Sequence, residues 1–210
     1  MALNIREMTD TSFINLKPGT YKSRVTGVAE LGLQETTYKD VQKIQKQIAL
    51  LFSVFENDGS TPVILGKSFA MTIRDNATLR KAIIAIRGKD FTPEELNDWD
   101  LAELLGLPCL ITIDQYERKG YTNMAIKQIT TSLTDSTTPE IEVKDYIYFD
   151  IDDMETWTSF TRMPKWLQIK INNSITMKNM GCYICEKGVI YDHPDTTNVE
   201  QYANETADAF

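Results

Sequence analysis

Histidine occurs once in the 210 residues, at His193, where it is followed by Pro194 and surrounded by acidic and polar residues. A nucleophile–histidine–carboxylate triad needs an ordered imidazole held by a third group, and this position offers none. Neither common glycine-rich phosphate loop is present, which argues against the usual nucleotide-hydrolysing and dinucleotide-dependent enzymes. Long apolar runs are missing as well. The best candidate, Ile48 to Phe55, is eight residues long with Ser53 inside it, far short of the roughly 18 a membrane span requires. Met1 to Asp10 carries Arg6, Glu7 and Asp10, so no signal peptide is expected there. The three cysteines, Cys109, Cys182 and Cys185, are an odd number in a chain with no export signal. They do not suggest a disulfide framework, and the expected compartment is the cytoplasm.

What the chain does have is an unequal distribution of charge. The formal net charge is -8, yet from Lys17 to Asp90 there are 12 basic residues against 7 acidic ones. From Ser136 onward 6 basic residues face 13 acidic ones, and after Lys187 there is no basic residue at all. A locally basic body followed by an acidic tail gives a local field that the total charge hides. Hydrophobic residues at 42% and charged residues at 25% are the balance of a folded chain rather than a disordered one.

Pro18-Gly19 opens a segment, Tyr21 to Leu33, that reads as a strand bent at Gly27 and Gly32. Gln34 to Lys43 is polar and reads as a loop. Gln45 to Phe55 is a second strand, closed by Asn57-Asp58-Gly59, and Val63 to Ile73 a third. The period then becomes helical. Leu79, Ile83 and Ile86 predict a helix capped at Asp75 or Asn76 and ended by Gly88, and Thr92-Pro93-Glu94-Glu95 opens a second that runs to Gly106. Leu107–Tyr116 and Tyr121–Ser132 form a hairpin across Arg118-Lys119-Gly120. Three strands, a helical insert and two strands are the order of a five-stranded OB-fold barrel with its helices between the third and fourth strands, a mainly β architecture. Residues 1–135 are thus expected to form the barrel. Residues 136–190, with Phe160, Trp166, Leu167, Ile169 and Ile171, form an extension packed on it, and 191–210 an acidic tail.

Two clusters invite an enzymatic reading. Cys182-Tyr-Ile-Cys185 has the spacing of a redox or zinc pair, but tetrahedral zinc needs two further ligands and only Cys109 and His193 remain. The alternative is a pair of ordinary small residues in a short strand. Asp150, Asp152, Asp153 and Glu155 could hold a divalent ion or simply form a solvated loop or helix N-terminus. Nucleophile, base and orienter are nowhere assembled. The expectation is a non-enzyme without catalytic residues, metal or cofactor.

A binder of single strands needs positive charge for phosphates and aromatic faces for bases. Lys22 and Arg24 lie two apart on the first strand, on one face. Tyr38, Lys39, Lys43 and Lys46 fall in and beside the segment joining strands one and two. Lys67, Phe69 and Arg74 belong to or follow the third strand. Tyr116, Arg118, Lys119 and Tyr121 surround the last hairpin turn, with Lys127 further on. In an OB-fold the loops joining strands one to two and four to five flank the binding face, and an aromatic–basic cluster falls at each. The bland alternatives are a core role for Phe69, a solvated strand face for Lys22 and Arg24, and helix-dipole pairing for Arg80, Lys81, Arg87 and Lys89. Tyr38 and Tyr121, in polar loops, have no evident core to fill.

The runs Tyr21–Leu33, Leu79-Arg80-Lys81…Arg87-Gly88-Lys89…Phe91-Thr92, Trp99-Asp100-Leu101…Leu105-Gly106-Leu107…Cys109 and Phe160…Pro164-Lys165-Trp166 resemble a group of bacteriophage replication proteins similar to OB-fold single-stranded DNA-binding proteins. The resemblance spans about Thr11 to Ile171. It implies a protein that coats and protects single-stranded DNA during phage replication or recombination, in the host cytoplasm. Separately, the ending Glu205-Thr-Ala-Asp208-Ala-Phe210 resembles the acidic, phenylalanine-closed tail of bacterial and phage single-strand-binding proteins. That likeness implies recruitment of phage or host replication proteins through Asp208 and Phe210, and competition between tail and DNA for the groove. The rival expectation is a replisome or virion scaffold that contacts protein alone.

Overall fold

A computed structural model describes residues 16–38, 41–55, 62–118, 121–132, 138–140, 142–185 and 188–191. Strands β1 (Gly19–Tyr38), β2 (Val41–Phe55) and β3 (Val63–Ala70) are followed by helices α1 (Thr78–Arg87) and α2 (Glu95–Asp98) and a 3-10 turn at Leu101–Leu104. Then come β4 (Pro108–Arg118) and β5 (Tyr121–Thr131). The remainder comprises β6 (Ile147–Phe149), a 3-10 stretch over Met154–Arg162, α3 (Lys165–Asn172), α4 (Ile175–Met180) and a small hairpin, β7 (Cys182–Cys185) with β8 (Gly188–Tyr191). The protein is mainly β, built on one sheet with the order β3-β2-β1-β4-β5, its neighbours antiparallel. No helix among the described residues is long and apolar enough to cross a membrane.

The second strand shows why its sequence is so apolar. Ile48, Leu50, Phe52 and Val54 enter one core with Val25, Val28, Ile83, Ile86 and Ile111. Ala49 and Leu51 point the other way, into a second core with Leu31, Phe149, Phe160, Leu167 and Ile171. A strand covered on both faces loses the alternation of a half-exposed one and reads as a continuous hydrophobic run. β1 serves both cores by means of a bulge between Val25 and Gly27, which shifts the side-chain parity so that Val25 and Val28 face the same core.

β4 pairs with β1 only up to Arg24, and β6 then takes over the vacated edge, running parallel to Gly27–Ala29. Gly27 is required at this exchange: a Cβ there would stand 2.8 Å from Leu51 Cδ1 and 3.1 Å from the Ile147 carbonyl oxygen. At the far ends of the path, Lys67 Nζ on β3 donates to the Ile126 carbonyl on β5 over 2.7 Å.

Three sequence expectations are corrected. The described residues of the segment Gln34–Lys43 are strand, not loop: β1 and β2 continue as a ladder to the pair Tyr38↔Val41. Its exposed Thr37 and Val41, with Ile44 just beyond, favour strand without being buried, so no hydrophobic alternation announced it. At the helix opened by Thr92 the expected capping hydroxyl accepts from Glu95 N, and Thr92 N in turn donates to Glu95 Oε2. The helix stops after one turn, however, because Asp100 starts a new one by accepting from Ala102 N at 2.8 Å. The third strand ends at Ala70, three residues early.

Candidate nucleic-acid interface

The pairing register places the β1–β2 tip beyond the C-terminal end of β1. The β4–β5 tip lies beyond its N-terminal end, since Gly19 pairs with Ile113 and β4 runs on to Arg118. The two aromatic–basic clusters therefore bracket β1 rather than meet. On the first arm Thr36 pairs with Lys43 and Tyr38 with Val41, so positions 38 and 43 fall on one face of the ladder. Lys43 is exposed there, as are Lys22 on β1, Arg74 after β3 and Tyr116 on β4, the last at 47%. The side chains of Tyr38, Arg118 and Tyr121, and Lys39, Lys119, Asp208 and Phe210 altogether, lie outside the described residues.

Four of the expected phosphate ligands are committed elsewhere. Arg24 is buried at 8%. Its Nε donates to the Pro139 carbonyl at 2.8 Å, Nη1 to that of Gly106 at 2.7 Å and Nη2 to that of Thr138 at 3.0 Å. It ties the first strand to the loop before β4 and to the segment after β5, so that on the face it shares with exposed Lys22 it is covered while Lys22 is open. Lys46 stands 2.7 Å from Glu30 and 3.5 Å from Asp152. Burial lifts the Glu30 carboxyl above its usual range in spite of Lys46, while the hydrogen bond to Glu30 raises the Lys46 ammonium. Lys67 lies on the inward side of β3 with its pKa lowered by burial. Lys127 faces Asp114 at 3.3 Å. Phe69 is core, 6% exposed.

Arg80 and Arg87 on α1 also have carboxylate partners. Arg80 bridges Asp75 and Asp90. Arg87 pairs with Glu95 and lies 4.8 Å from the ring centres of both Phe91 and Trp99, a cation held between aromatic faces.

A concavity of about 620 Å³ runs between the end of β3 and the α2 region, lined by Met71, Phe91, Trp99 and Tyr148. Its rim carries Glu95, Asp98 and Asp100, and the adjoining 220 Å³ recess adds Glu30 and Asp150. Burial and the neighbouring Asp100, Asp150, Asp153 and Glu30 raise the Tyr148 hydroxyl pKa. Such a cleft repels phosphate. Ligand oxygens of Glu30, Asp150 and Asp152 lie within 4.8 Å of one another, and Lys46 already bonds to two of these residues. Cys182 and Cys185 sit at opposite ends of β7, one buried and one half-buried. Three residues apart on a strand, they point to opposite faces and make no chelating pair.

One residue escaped the sequence reading. Trp166, assigned there to a buried cluster, is 43% exposed on α3 and accompanied by exposed Ile169 and Ile64. α3 crosses the outward side of β3. A Cβ on Gly66 would stand 2.8 Å from Trp166 Cζ2, and Lys170 Nζ donates to Ser68 Oγ at 3.2 Å. The signal was available in the glycine at position 66, which interrupts a strand to make room for a neighbour. No family model matches this chain, and no curated protein matches it.

Proposed function

We propose that this chain is a single-stranded DNA-binding protein, built on an OB-type barrel and acting in phage DNA replication or recombination in the host cytoplasm. The observation that carries the reading is the strand path β3-β2-β1-β4-β5 with α1 inserted between β3 and β4. That path has the connectivity of the five-stranded barrel whose strand 2–3 face and two hairpin loops bind oligonucleotides. Support comes from exposed Lys22, Lys43, Arg74 and Tyr116 and from the aromatic–basic sequence of both hairpin tips. Stacking is sequence-tolerant because every base has a π-face, and phosphate contacts make affinity fall with salt. The acidic tail competes with DNA for the basic surface and, when released, recruits replication proteins through Asp208 and Phe210. Catalysis plays no part in this reading.

The test is anisotropy titration of a labelled single strand of about thirty nucleotides, longer than the roughly 4–16 one OB-fold covers, against its duplex at two salt concentrations. Salt-sensitive binding to the single strand, tightened at low salt by deleting Asn198 to Phe210, is the expected outcome. No binding at low salt, even without the tail, overturns it. A scaffold reading is favoured by one observation, the exposure of Leu33, Val41 and Ile44 on the β1–β2 arm at 36%, 66% and 56%. It predicts negligible affinity for oligonucleotides, and that Val41→Ser with Ile44→Ser abolishes a protein contact.

A further inference from the structure

The outward side of β2 and β3, the face an OB-type barrel offers to a strand of nucleic acid, is not bare in this protein. Leu51 of β2 is buried in the second core, and α3 lies across Gly66 and Ser68 of β3. A ligand on this side meets α3 first. Trp166, Ile169 and Lys170 are spaced i, i+3 and i+4, so they share one flank of the helix. The benzo edge of the indole rests over Gly66, and the side chain keeps 43% of its surface open to solvent. Lys170 is fixed to Ser68 beside it, and burial lowers its pKa.

Charge on this side runs against the rest of the molecule. From Thr156 to Cys185 there are four basic residues, Arg162, Lys165, Lys170 and Lys178, and no acidic one; Pro62 to Arg74 also has no acid, and of its two bases Lys67 points inward while Arg74 is exposed. In a chain of net charge -8, the two segments that pack together here thus carry no acidic residue. Arg74, Arg162, Lys165 and Lys178 are exposed. An exposed indole on a rigid element within a positive field has the two components of a single-strand platform.

We infer that Trp166 is a base-stacking platform: an unpaired base of a bound single strand lies on the open part of the indole, and its flanking phosphates run beside Lys165 and Lys170. The inference rests on the single-strand-binding reading and moves its centre from the hairpin tips to α3. Gly66 is the positioning residue, since it lets the indole seat against the sheet instead of swinging free.

The experiment uses the full chain and a labelled oligothymidine of about thirty nucleotides. Trp166→Ala should weaken binding by about ten- to a hundredfold, the loss of one stacked base, and Trp166→Phe should stay within about threefold of the parent. Intrinsic fluorescence should be quenched on binding in the parent and not in Trp166→Phe. Lys165→Glu carries the test if Trp166→Ala does not fold: weaker binding with a shallower salt slope supports the inference, and unchanged binding overturns it.

Parent protein that binds while Trp166→Ala binds equally well refutes the platform and leaves the hairpin arms as the interface. Failure of the parent to bind single strands at any salt removes both readings. A change in sedimentation of free Trp166→Ala with DNA affinity intact also overturns the inference, and makes this face a contact between copies of the chain.

Discussion

Replacing Arg24 by methionine separates a structural clasp from a phosphate ligand. The sequence puts Arg24 two residues from Lys22 on a strand, which suits either role. In the structure its guanidinium serves the carbonyls of Pro139, Gly106 and Thr138 at 2.7–3.0 Å with 8% exposure. Methionine keeps the apolar stem and removes the donors, so the loss is confined to hydrogen bonding. A carbonyl left without its charged donor costs about 1–3 kcal/mol. The bonds to Pro139 and Gly106 are only partly buried and that to Thr138 is buried, so about 1 kcal/mol for each of the three, roughly 3 kcal/mol in total, is a fair magnitude. At about 2–4 °C per kcal/mol for a domain of this size, the melting temperature should fall by roughly 6–12 °C. Arg24→Lys should recover only part of this, because an ammonium cannot span three acceptors held in a planar fork. Thermal unfolding followed by circular dichroism, with DNA titration of the folded variant in parallel, reads both roles. A melting temperature within about 2 °C of the parent together with markedly weaker DNA binding would refute the clasp and restore the phosphate role.

Three further outcomes are expected. Gly27→Ala should destabilise by about 1–3 kcal/mol, measured by urea denaturation, because the new methyl meets the buried end of the Leu51 side chain together with Ile147 Cβ and the Ile147 carbonyl of β6. Cys109 is fully buried, and that burial pushes its thiol from 9.0 up to about 12. A maleimide should label Cys185 in the native protein and Cys109 only after unfolding. The native state holds the Cys109 proton where the unfolded chain has lost it, so this group makes stability fall as pH rises from 9.0 toward about 12, and Cys109→Ala should remove that part of the slope. Lys43→Ala and Arg74→Ala, both at exposed positions, should each reduce the salt dependence of single-strand affinity by about 0.7 in log–log slope if they meet phosphates. An unchanged slope would exclude them from the interface.

Strand β2 was legible in the sequence because burial on both faces leaves an unbroken apolar run. α1 was legible because Leu79, Ile83 and Ile86 recur at helical spacing and Gly88 takes the left-handed conformation, φ 72°, that ends it. The β4–β5 hairpin was marked by its turn residues. The β1–β2 arm was hidden, since its ladder is satisfied by main-chain bonds and its side chains face water on both sides. The fate of individual charges was hidden more deeply. Lys22 and Arg24 look alike in the chain, and only the folding of 138–139 and Gly106 around Arg24 separates an exposed cation from a buried one.

Local pattern therefore determined the elements and their order: hydrophobic periodicity, caps and turn glycines act over a few residues and are written in consecutive positions. Tertiary structure alone decided which charges remain available and which aromatic meets solvent. Those outcomes depend on contacts between residues far apart in the chain, Lys46 with Asp152, Lys67 with Ile126, Trp166 with Gly66. Burial and electrostatic pairing follow from distance in space, and the linear order of the sequence does not record it.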